Sequence, residues 1–196
     1  MNFIEIMNQK KQEPSDINEH LQALYEVSLG CDLVVELGVR GLISTYAFLA
    51  SKPRKLISVD IVHPSKWGCN NFEKILESAR RQNIDFIFLQ EDSTQVEISE
   101  SSIDLLFIDT IHTYDQVSKE LNHLGGKVKK NIVFHDVSLY GIDGYGHNGH
   151  EPGNGILRAI DEFLVKYPEW HVVSHVKNNN GLMILGRQQQ TGEKNG

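Results

Sequence analysis

The order of apolar and amphipathic segments constrains the fold of this chain more than any other feature. Five short apolar runs, each of strand length, alternate with segments whose apolar residues recur at helical spacing. The runs cover residues 33–38, 55–62, 85–90, 104–109 and 131–136, and the helical segments cover 15–28, 42–50, 70–83, 114–124 and 155–167. Such alternation predicts an α/β fold, a parallel sheet with helices on both faces. The strands do not alternate between apolar and polar residues, which fits burial on both sides.

The two ends of the chain depart from this alternation. Residues 170–176 and 181–187 read as two strands joined by a short polar turn, which predicts a C-terminal antiparallel hairpin at the sheet edge. Residues 1–14 are polar and are expected to form a flexible lead-in. We expect a single domain over residues 15–187 and a disordered tail over residues 188–196.

The composition of the chain limits which binding partners and which cellular compartment are expected. The 196 residues carry a formal net charge of −7, and such a surface repels phosphate backbones, so a nucleic-acid partner is not expected. No segment approaches the roughly 20 apolar residues that span a bilayer, and no signal peptide is recognisable, so no membrane partner and a cytoplasmic location are expected. Cys31 and Cys69 are expected to be free thiols.

Acidic residues mark the ends of the five alternating strands. Because parallel strands end at one edge of a sheet, and ligands bind there, these acids predict a polar crevice. The acids are Glu36, Asp60, Glu91, Asp92, Asp109 and Asp136, the last preceded by His135.

The loop after the first strand, VVELGVRGLIST, contains the pattern E-x-G-x-x-G. Gly38 would allow a tight turn and Gly41 a close helix start, although a plain strand-to-helix turn explains the pattern as well. Asp60, about 20 residues later, could accept the ribose hydroxyls of a nucleoside cofactor. S-adenosylmethionine and a nicotinamide cofactor both carry that ribose. Glu36 before the glycines favours S-adenosylmethionine, whose ammonium it would serve directly or through water.

At this point the chain resembles a known family. The stretches VVELGVRG, LISVDIV, LQEDSTQ, IDLLFIDTIHTYDQV and LGGKVKKNIVFHD, with the final hairpin, are similar to class I S-adenosylmethionine-dependent methyltransferases, in the group related to metal-dependent small-molecule and sugar O-methyltransferases. The resemblance implies a Rossmann-like, seven-stranded, mostly parallel sheet. It also implies O-methylation of a small hydroxylated acceptor, sugar-like or polyol, and leaves a homodimer open.

The resemblance also implies which residues bind the cofactor. The first loop would hold the methionine end, the acid after the second strand the ribose, and the acid and hydroxyl after the third strand would lie near adenine. Carried over, the set is Glu36, Gly38, Gly41, Asp60, Asp92, Ser93 and Asp109.

A divalent cation, Mg or Mn, is implied at the ends of the fourth and fifth strands. Asp109, His135 and Asp136 would be the metal ligands, and the catalytic residues would be His112, as the base, with Asp109 and His135. His135 departs from the acid usual at its position, which would weaken magnesium and favour manganese, iron or zinc. His135 as a second base or a structural residue, and His112 as a residue that packs locally, remain alternatives.

The glycine-rich segment 137–155 follows Asp136 directly and reads either as a substrate lid or as a floppy connection. Its polar and aromatic residues are Tyr140, Tyr145, His147 and His150, of which the two histidines could bind adventitious metal. Trp67 could cover the cofactor adenine or pack beneath this loop. A nicotinamide-dependent oxidoreductase and a non-catalytic cofactor-binding domain remain the rival functions. The first is disfavoured by the missing third glycine and by the lack of a Tyr-x-x-x-Lys pair.

Overall fold

The computed structural model describes residues 1–188. The nine strands among them are β1 Leu33–Leu37, β2 Lys55–Val59, β3 Asp85–Leu89, β4 Ile103–Ile108, β5 Val128–His135, β6 Gly144–Gly146, β7 Gly149–Glu151, β8 Trp170–Val176 and β9 Leu182–Arg187. The α-helices are α1 Phe3–Lys10, α2 Leu21–Ser28, α3 Ile43–Ser51, α4 Phe72–Arg81, α5 Tyr114–Leu124 and α6 Ile156–Lys166. Short 3-10 turns cover Asn18–His20, Pro64–Trp67 and Gly125–Lys127.

Seven of the strands form one sheet in the order β3-β2-β1-β4-β5-β9-β8. The first five are parallel, and β9 pairs antiparallel with both β5 and β8. The predicted seven-stranded, mostly parallel, Rossmann-like sheet with a C-terminal antiparallel hairpin is therefore confirmed. Strands β6 and β7 form a separate two-stranded hairpin that the sequence did not predict.

The sheet has a hydrophobic core on each face. Adjacent residues of one strand serve opposite cores: Val34 joins the core beneath α1, α2, α3 and α4, whereas Val35 joins the core beneath α5 and α6. All five residues of β1 are buried, including Glu36. Burial on both faces explains why the central strands read as continuous apolar runs in the sequence.

The N-terminal region differs from the sequence expectation. Helix α1 lies within the predicted lead-in 1–14, and its Phe3 and Met7 are each 1% exposed. These two side chains are one helical turn apart and pack into the same core as α3. They give α1 an apolar face, although most residues of the segment 1–14 are polar. The predicted helix 15–28 is shorter, because α2 begins only at Leu21 after a 3-10 turn.

Two further sequence expectations concern the chain ends and membranes. The predicted tail 188–196 lies, beyond Gln188, outside the described residues. Within residues 1–188, no helix combines the length and the apolar character that crossing a bilayer requires.

The carboxyl ends of β1, β2 and β4 meet at Gly38. This residue has φ +84°, its N–H donates to the Val59 carbonyl at 2.9 Å, and the Asp109 N–H donates to the Leu37 carbonyl at 2.8 Å. A Cβ at position 38 would lie 1.9 Å from the Asp109 carbonyl oxygen, so no larger residue fits without backbone movement. This close approach places Asp60 and Asp109 on either side of the glycine turn.

We expect Gly38→Ala to destabilise the fold strongly, because it adds both a clash with backbone and a strained φ. The loss should be on the order of 2 kcal/mol or more, a fall of roughly 4–8 °C in Tm. Gly41→Ala is the matched control, since its Cβ would meet only the Trp67 carbonyl at 3.7 Å, an ordinary contact. Equal melting temperatures for the two variants, measured by thermal unfolding, would contradict the steric argument.

Candidate functional site

Three adjoining clefts lie along the carboxyl edge of the sheet. The first, about 650 Å³, is lined mainly by Gly38, Val59, Asp60, Ile61, Trp67, Glu91, Ser93, Asp109, Thr110 and Ile111. The second, about 800 Å³, is lined by Asp16, Arg40, Asp109, Thr110, His112, Asp136, Tyr140, Tyr145, His147 and Asn180. The third lies over the glycine turn and includes Asp16, Arg40, Gly41, Ser44 and Trp67. Arg40 also lines the first cleft and Asp109 also lines the third, so both residues line all three clefts, which form one continuous site.

Asp60 fixes the glycine turn and faces the first cleft. Its Oδ2 accepts the backbone N–H groups of Val39 and Arg40 at 2.9 and 3.0 Å, and its Oδ1 accepts that of Val62 at 2.9 Å. A carboxylate oxygen can accept two hydrogen bonds, so Oδ1 keeps acceptor capacity. The predicted position of this acid at the cleft wall therefore agrees with the geometry.

Glu36 lies beneath the site and not at a cleft wall. Its side chain is fully buried and lines none of the three clefts. The hydroxyls of Ser44, Thr45 and Ser58 donate to its two oxygens at 2.5–2.8 Å. Burial raises the pKa of Glu36 to about 7, although the three hydroxyl bonds oppose that change. Glu36 thus joins β1, β2 and α3 beneath the site and offers no direct contact to a ligand.

The acids after β3 also differ from expectation. Asp92 is exposed and caps its own turn, accepting the Thr94 N–H at 2.8 Å, and it does not line the first cleft. Glu91 and Ser93 line it instead. The Ser93 hydroxyl is 7% exposed and donates to Glu120 at 2.5 Å. Of the two residues predicted near adenine, only Ser93 lies at the cleft.

Glu120 on α5 is a buried carboxylate that the sequence analysis missed. It accepts hydrogen bonds from Ser93, Thr110 and Gln116 at 2.5–3.1 Å and is completely buried. Burial raises its pKa to about 7, against the opposing effect of these hydrogen bonds. A glutamate between Val117 and Leu121, on the apolar face of a helix, is the signal that could have revealed it.

Asp109, His112 and Asp136 converge at the second cleft. One ligand atom from each lies within 4.8 Å of the others. His112 Nε2 is 2.5 Å from Asp136 Oδ2 and 3.6 Å from Asp109 Oδ1. Within residues 1–188, His112 Nε2 and Asp136 Oδ1 are buried polar atoms without an aligned hydrogen-bond partner. Buried polar groups are nearly always satisfied, so these two atoms suggest that a further group completes the site.

The charges in this cluster make His112 a poor free base. Burial alone would lower the pKa of His112, but the adjacent carboxylates of Asp109 and Asp136 raise it to about 9. The pKa of Asp136 is far below its usual range, because the neighbouring histidines outweigh the effect of burial. At this pKa the imidazole is mostly protonated near neutral pH in the metal-free site, so it must lose that proton before it can act as the expected general base or bind a metal.

His135 lies behind this cluster rather than in it. Its side chain is 1% exposed, its Nδ1 is 3.3 Å from Asp109 Oδ1, and its Nε2 is 3.1 Å from the Asn179 carbonyl. His20 packs edge-on against it and contacts the same carbonyl at 3.1 Å. Of the metal ligands expected from sequence, Asp109 and Asp136 converge with His112, whereas the His135 ring is held between a carboxylate and a backbone carbonyl.

The glycine-rich segment 137–155 is an ordered hairpin, not a slack connection. The Tyr145 N–H donates to the His112 carbonyl at 2.9 Å, and the Tyr140 ring stacks on the His112 ring at 4.6 Å. Tyr140, Tyr145 and His147 line the second cleft. His150 instead faces Asp143 at the surface. The hairpin therefore covers the site and holds His112 from its outer side.

Three further aromatic and histidine residues lie outside the cluster of Asp109, His112 and Asp136. Trp67 is 53% exposed and lines the first and third clefts, away from the 137–155 segment. His171 and His175 are exposed on β8, an edge strand of the sheet, and line none of the three clefts.

Comparison with known proteins identifies the family. A family model described as "Methyltransferase domain" matches residues 35–137, more than half of the chain. The chain belongs to this methyltransferase family. The resemblance inferred from the sequence is confirmed at this level. Among curated protein sequences, no significant relative is found.

Solved structures share the fold of this methyltransferase domain at low sequence identity. An O-methyltransferase from Bacillus cereus in complex with SAH is 14% identical with a TM-score of 0.61, covering 96% of this chain and 91% of that one. The O-methyltransferase TomG from Streptomyces achromogenes, involved in tomaymycin synthesis and in complex with SAM, is 12% identical with a TM-score of 0.60, covering 88% and 81%. The SAH-bound methyltransferase PaMTH1 from Podospora anserina is 14% identical with a TM-score of 0.57, covering 96% and 88%.

We expect Glu120→Gln to flatten the pH dependence of stability. The pKa of this carboxyl is about 7 in the folded chain, above its ordinary value of 4.5, so the unfolded chain releases the proton first and stability falls as pH rises between those values. The contribution removed is on the order of 3 kcal/mol. Denaturant unfolding from pH 4 to pH 8 measures it, with the exposed Glu97→Gln as the control. An unchanged slope in Glu120→Gln would contradict this assignment.

Proposed function

We propose that this chain is an S-adenosylmethionine-dependent O-methyltransferase that acts on a small hydroxylated acceptor with the help of a divalent cation. The observation that carries the proposal is the junction of two different clefts at Asp109. The first is largely apolar with one carboxylate suited to a ribose, and the second is polar with a cluster suited to a cation. A ligand in one cleft would face a ligand in the other across the shared wall of Asp109, Thr110 and Ile111.

The first cleft supports the cofactor assignment. Asp60 would accept ribose hydroxyls through its remaining lone pairs, Gly38 would permit close backbone approach, and Ser93 with Glu91 would lie near the base. Two of the solved structures with this fold are O-methyltransferases in complex with SAH or SAM, which supports the same cofactor and reaction class here. Trp67 at the rim would cover part of the bound nucleoside.

The residues of the second cleft fit a divalent cation. Asp109, His112 and Asp136 would hold it, because their ligand atoms converge and Asp136 Oδ1 is buried there without a partner. One nitrogen and two carboxylate oxygens favour manganese or another transition ion over magnesium. When bound, such a cation would lower the pKa of an acceptor hydroxyl and orient it.

The chain's own residues would then have positioning tasks. S-adenosylmethionine carries an already activated methyl group, so the protein must hold the acceptor oxygen in line with that methyl and keep water out. The hairpin with Tyr140, Tyr145 and His147 would close over the acceptor. Polar rings and imidazoles suit a sugar-like or polyol acceptor. His112 would serve as a ligand in this arrangement, not as the base.

The cofactor assignment predicts tight binding of S-adenosylhomocysteine in isothermal titration calorimetry. Asp60→Ala should weaken that binding at least about tenfold, because it removes acceptors for the ribose and loosens the glycine turn. The exposed Asp161→Ala is the control. Titration with NAD should give no heat. Unchanged affinity in Asp60→Ala would refute the ribose assignment, and binding of NAD alone would favour an oxidoreductase.

The cation assignment predicts that Mn²⁺ binds to the purified protein, measured by electron paramagnetic resonance of the free ion. Asp136→Asn should weaken binding at least about tenfold, since a neutral amide replaces a charged ligand. Asn also tolerates the φ of +63° at this position, so the backbone should be preserved. Asp143→Asn, which disrupts the His150 contact instead, is the matched control. Equal Mn²⁺ binding in wild type and Asp136→Asn would overturn the assignment.

A further inference from the structure

A buried hydrogen-bond network lies behind the wall of the first cleft. The Glu120 carboxylate accepts the Ser93 hydroxyl at 2.5 Å and the Thr110 hydroxyl at 2.8 and 3.1 Å. Gln116 Nε2 donates to Glu120 at 2.9 Å and to Ser93 Oγ at 3.1 Å. Ser93 and Thr110 line the first cleft, whereas Glu120 and Gln116 do not. The network therefore connects a buried acid to two hydroxyls in the cleft wall.

The charge of Glu120 fixes the direction of both hydroxyls. An ionised carboxylate only accepts hydrogen bonds, so Ser93 and Thr110 must each point their one hydroxyl hydrogen at Glu120. Ser93 Oγ also accepts from Gln116, which leaves it one lone pair, and among residues 1–188 no group donates to Thr110 Oγ1. A hydroxyl whose hydrogen is already used can only accept from a ligand. Both hydroxyls are therefore acceptors on the side of the cleft.

The distribution of the other polar side chains leaves this end of the cleft without side-chain donors. Arg40 and Trp67 are the residues of the first cleft whose side chains carry N–H groups. Both also line the third cleft, over the glycine turn, which Glu91, Ser93 and Thr110 do not. Glu91 adds a carboxylate, which accepts as well. The end of the cleft formed by Glu91, Ser93 and Thr110 thus offers a ligand side-chain acceptors only.

This pattern of acceptors suits one class of purine base. Adenine carries an amine at position 6 of its ring, and an amine donates hydrogen bonds. Hypoxanthine and guanine carry a carbonyl oxygen at the same position, and a carbonyl oxygen only accepts. A carbonyl placed against Ser93 and Thr110 would leave its own oxygen and both hydroxyl oxygens without donors. Polar groups left unpaired in this way discriminate strongly between otherwise similar ligands.

We propose that Glu120 is a positioning residue that makes the first cleft select a 6-amino purine over a 6-oxo purine, by fixing the hydroxyl directions of Ser93 and Thr110. The inference rests on the proposed S-adenosylmethionine site and deepens it, because the sequence pattern assigns no role to Glu120. Glu120 acts only through its neighbours, since it is completely buried and lines none of the three clefts.

The test compares two ligands that differ only at one edge of the base. S-adenosylhomocysteine carries adenine, and S-inosylhomocysteine carries hypoxanthine in its place. In calorimetric titrations of the full chain at pH 8, wild type should bind S-adenosylhomocysteine at least about tenfold more tightly. Glu120→Gln should reduce this ratio to about threefold or less, because the new amide donates to one hydroxyl, whose own hydrogen then turns towards the cleft.

A second set of variants shows whether Glu120 acts through the two hydroxyls. In a Ser93→Ala, Thr110→Val background, adding Glu120→Gln should change the ratio by less than about twofold, since the groups that it directs are gone. Glu36→Gln is the matched control, because Glu36 is an equally buried glutamate bonded by three hydroxyls, away from the first cleft. Its ratio should stay within about twofold of wild type.

A pH profile of the ratio provides an independent readout. Burial, and to a smaller extent the charge of Asp92, raises the pKa of Glu120 to about 7, against the opposing effect of its three hydrogen bonds. At pH 6 the protonated carboxyl must donate to a neighbour, so the ratio of wild type should fall towards that of Glu120→Gln. The ratio of Glu120→Gln should not change between pH 8 and pH 6. Glu36→Gln, measured at both pH values, corrects for titration of the ligands themselves.

The outcomes distinguish this inference from the proposed function. If wild type binds both ligands equally well, the cleft does not select the base in this way, and the inference is wrong while the cofactor assignment survives. If Glu120→Gln keeps the wild-type ratio, or lowers it equally with and without the two hydroxyls, Glu120 does not act through Ser93 and Thr110 and the inference is again wrong. Failure of S-adenosylhomocysteine to bind wild type would overturn the proposed function itself.

Discussion

The site depends on the close approach of the ends of β1 and β4 at Gly38, a residue that has no Cβ. Because Gly38 has no side chain, the turn after β1 can lie directly against the Asp109 carbonyl at the end of β4. That contact brings Asp60, held by the turn's own N–H groups, within one site of Asp109. The parallel sheet supplies the common edge, and this contact brings the ends of β1 and β4 together beneath the adjoining clefts.

Buried carboxylates in this protein fall into two groups that differ in how they are satisfied. Glu36 and Glu120 accept several hydrogen bonds each from side chains of other elements, so they tie helices to the sheet. Asp136 contacts His112 but leaves one oxygen unpartnered. A buried acid that is bonded to several donors and lies away from the clefts has a structural role, whereas an unpartnered buried atom at a cleft can accept a ligand. This criterion, and not the presence of an acid alone, separates support from function here.

The sequence was sufficient for the sheet and for part of the site. Continuous apolar runs and their acidic ends are local features, so β1 to β5 and the positions of Asp60, Asp109 and Asp136 could be read directly. Side-chain direction could not be read in this way: Glu36 turns into the space between β1, β2 and α3, and Asp92 turns back on Thr94. Long-range pairing was equally hidden, since the Arg40–Asp16 contact joins residues 24 positions apart across two elements.

The placement of His112 and His135 shows what sequence spacing alone leaves open. Both His112 and His135 lie near Asp109, and the order of the chain offers no reason to prefer one as a ligand. The β8–β9 turn decides it, because the Asn179 carbonyl holds the His135 ring while the Tyr145 N–H and the Tyr140 ring hold His112 at the cleft. The same turn also holds the segment bearing Asp16. Residues outside the matched segment 35–137 therefore help to position His112, His135 and Asp16, and such residues can differ between relatives that share one sheet.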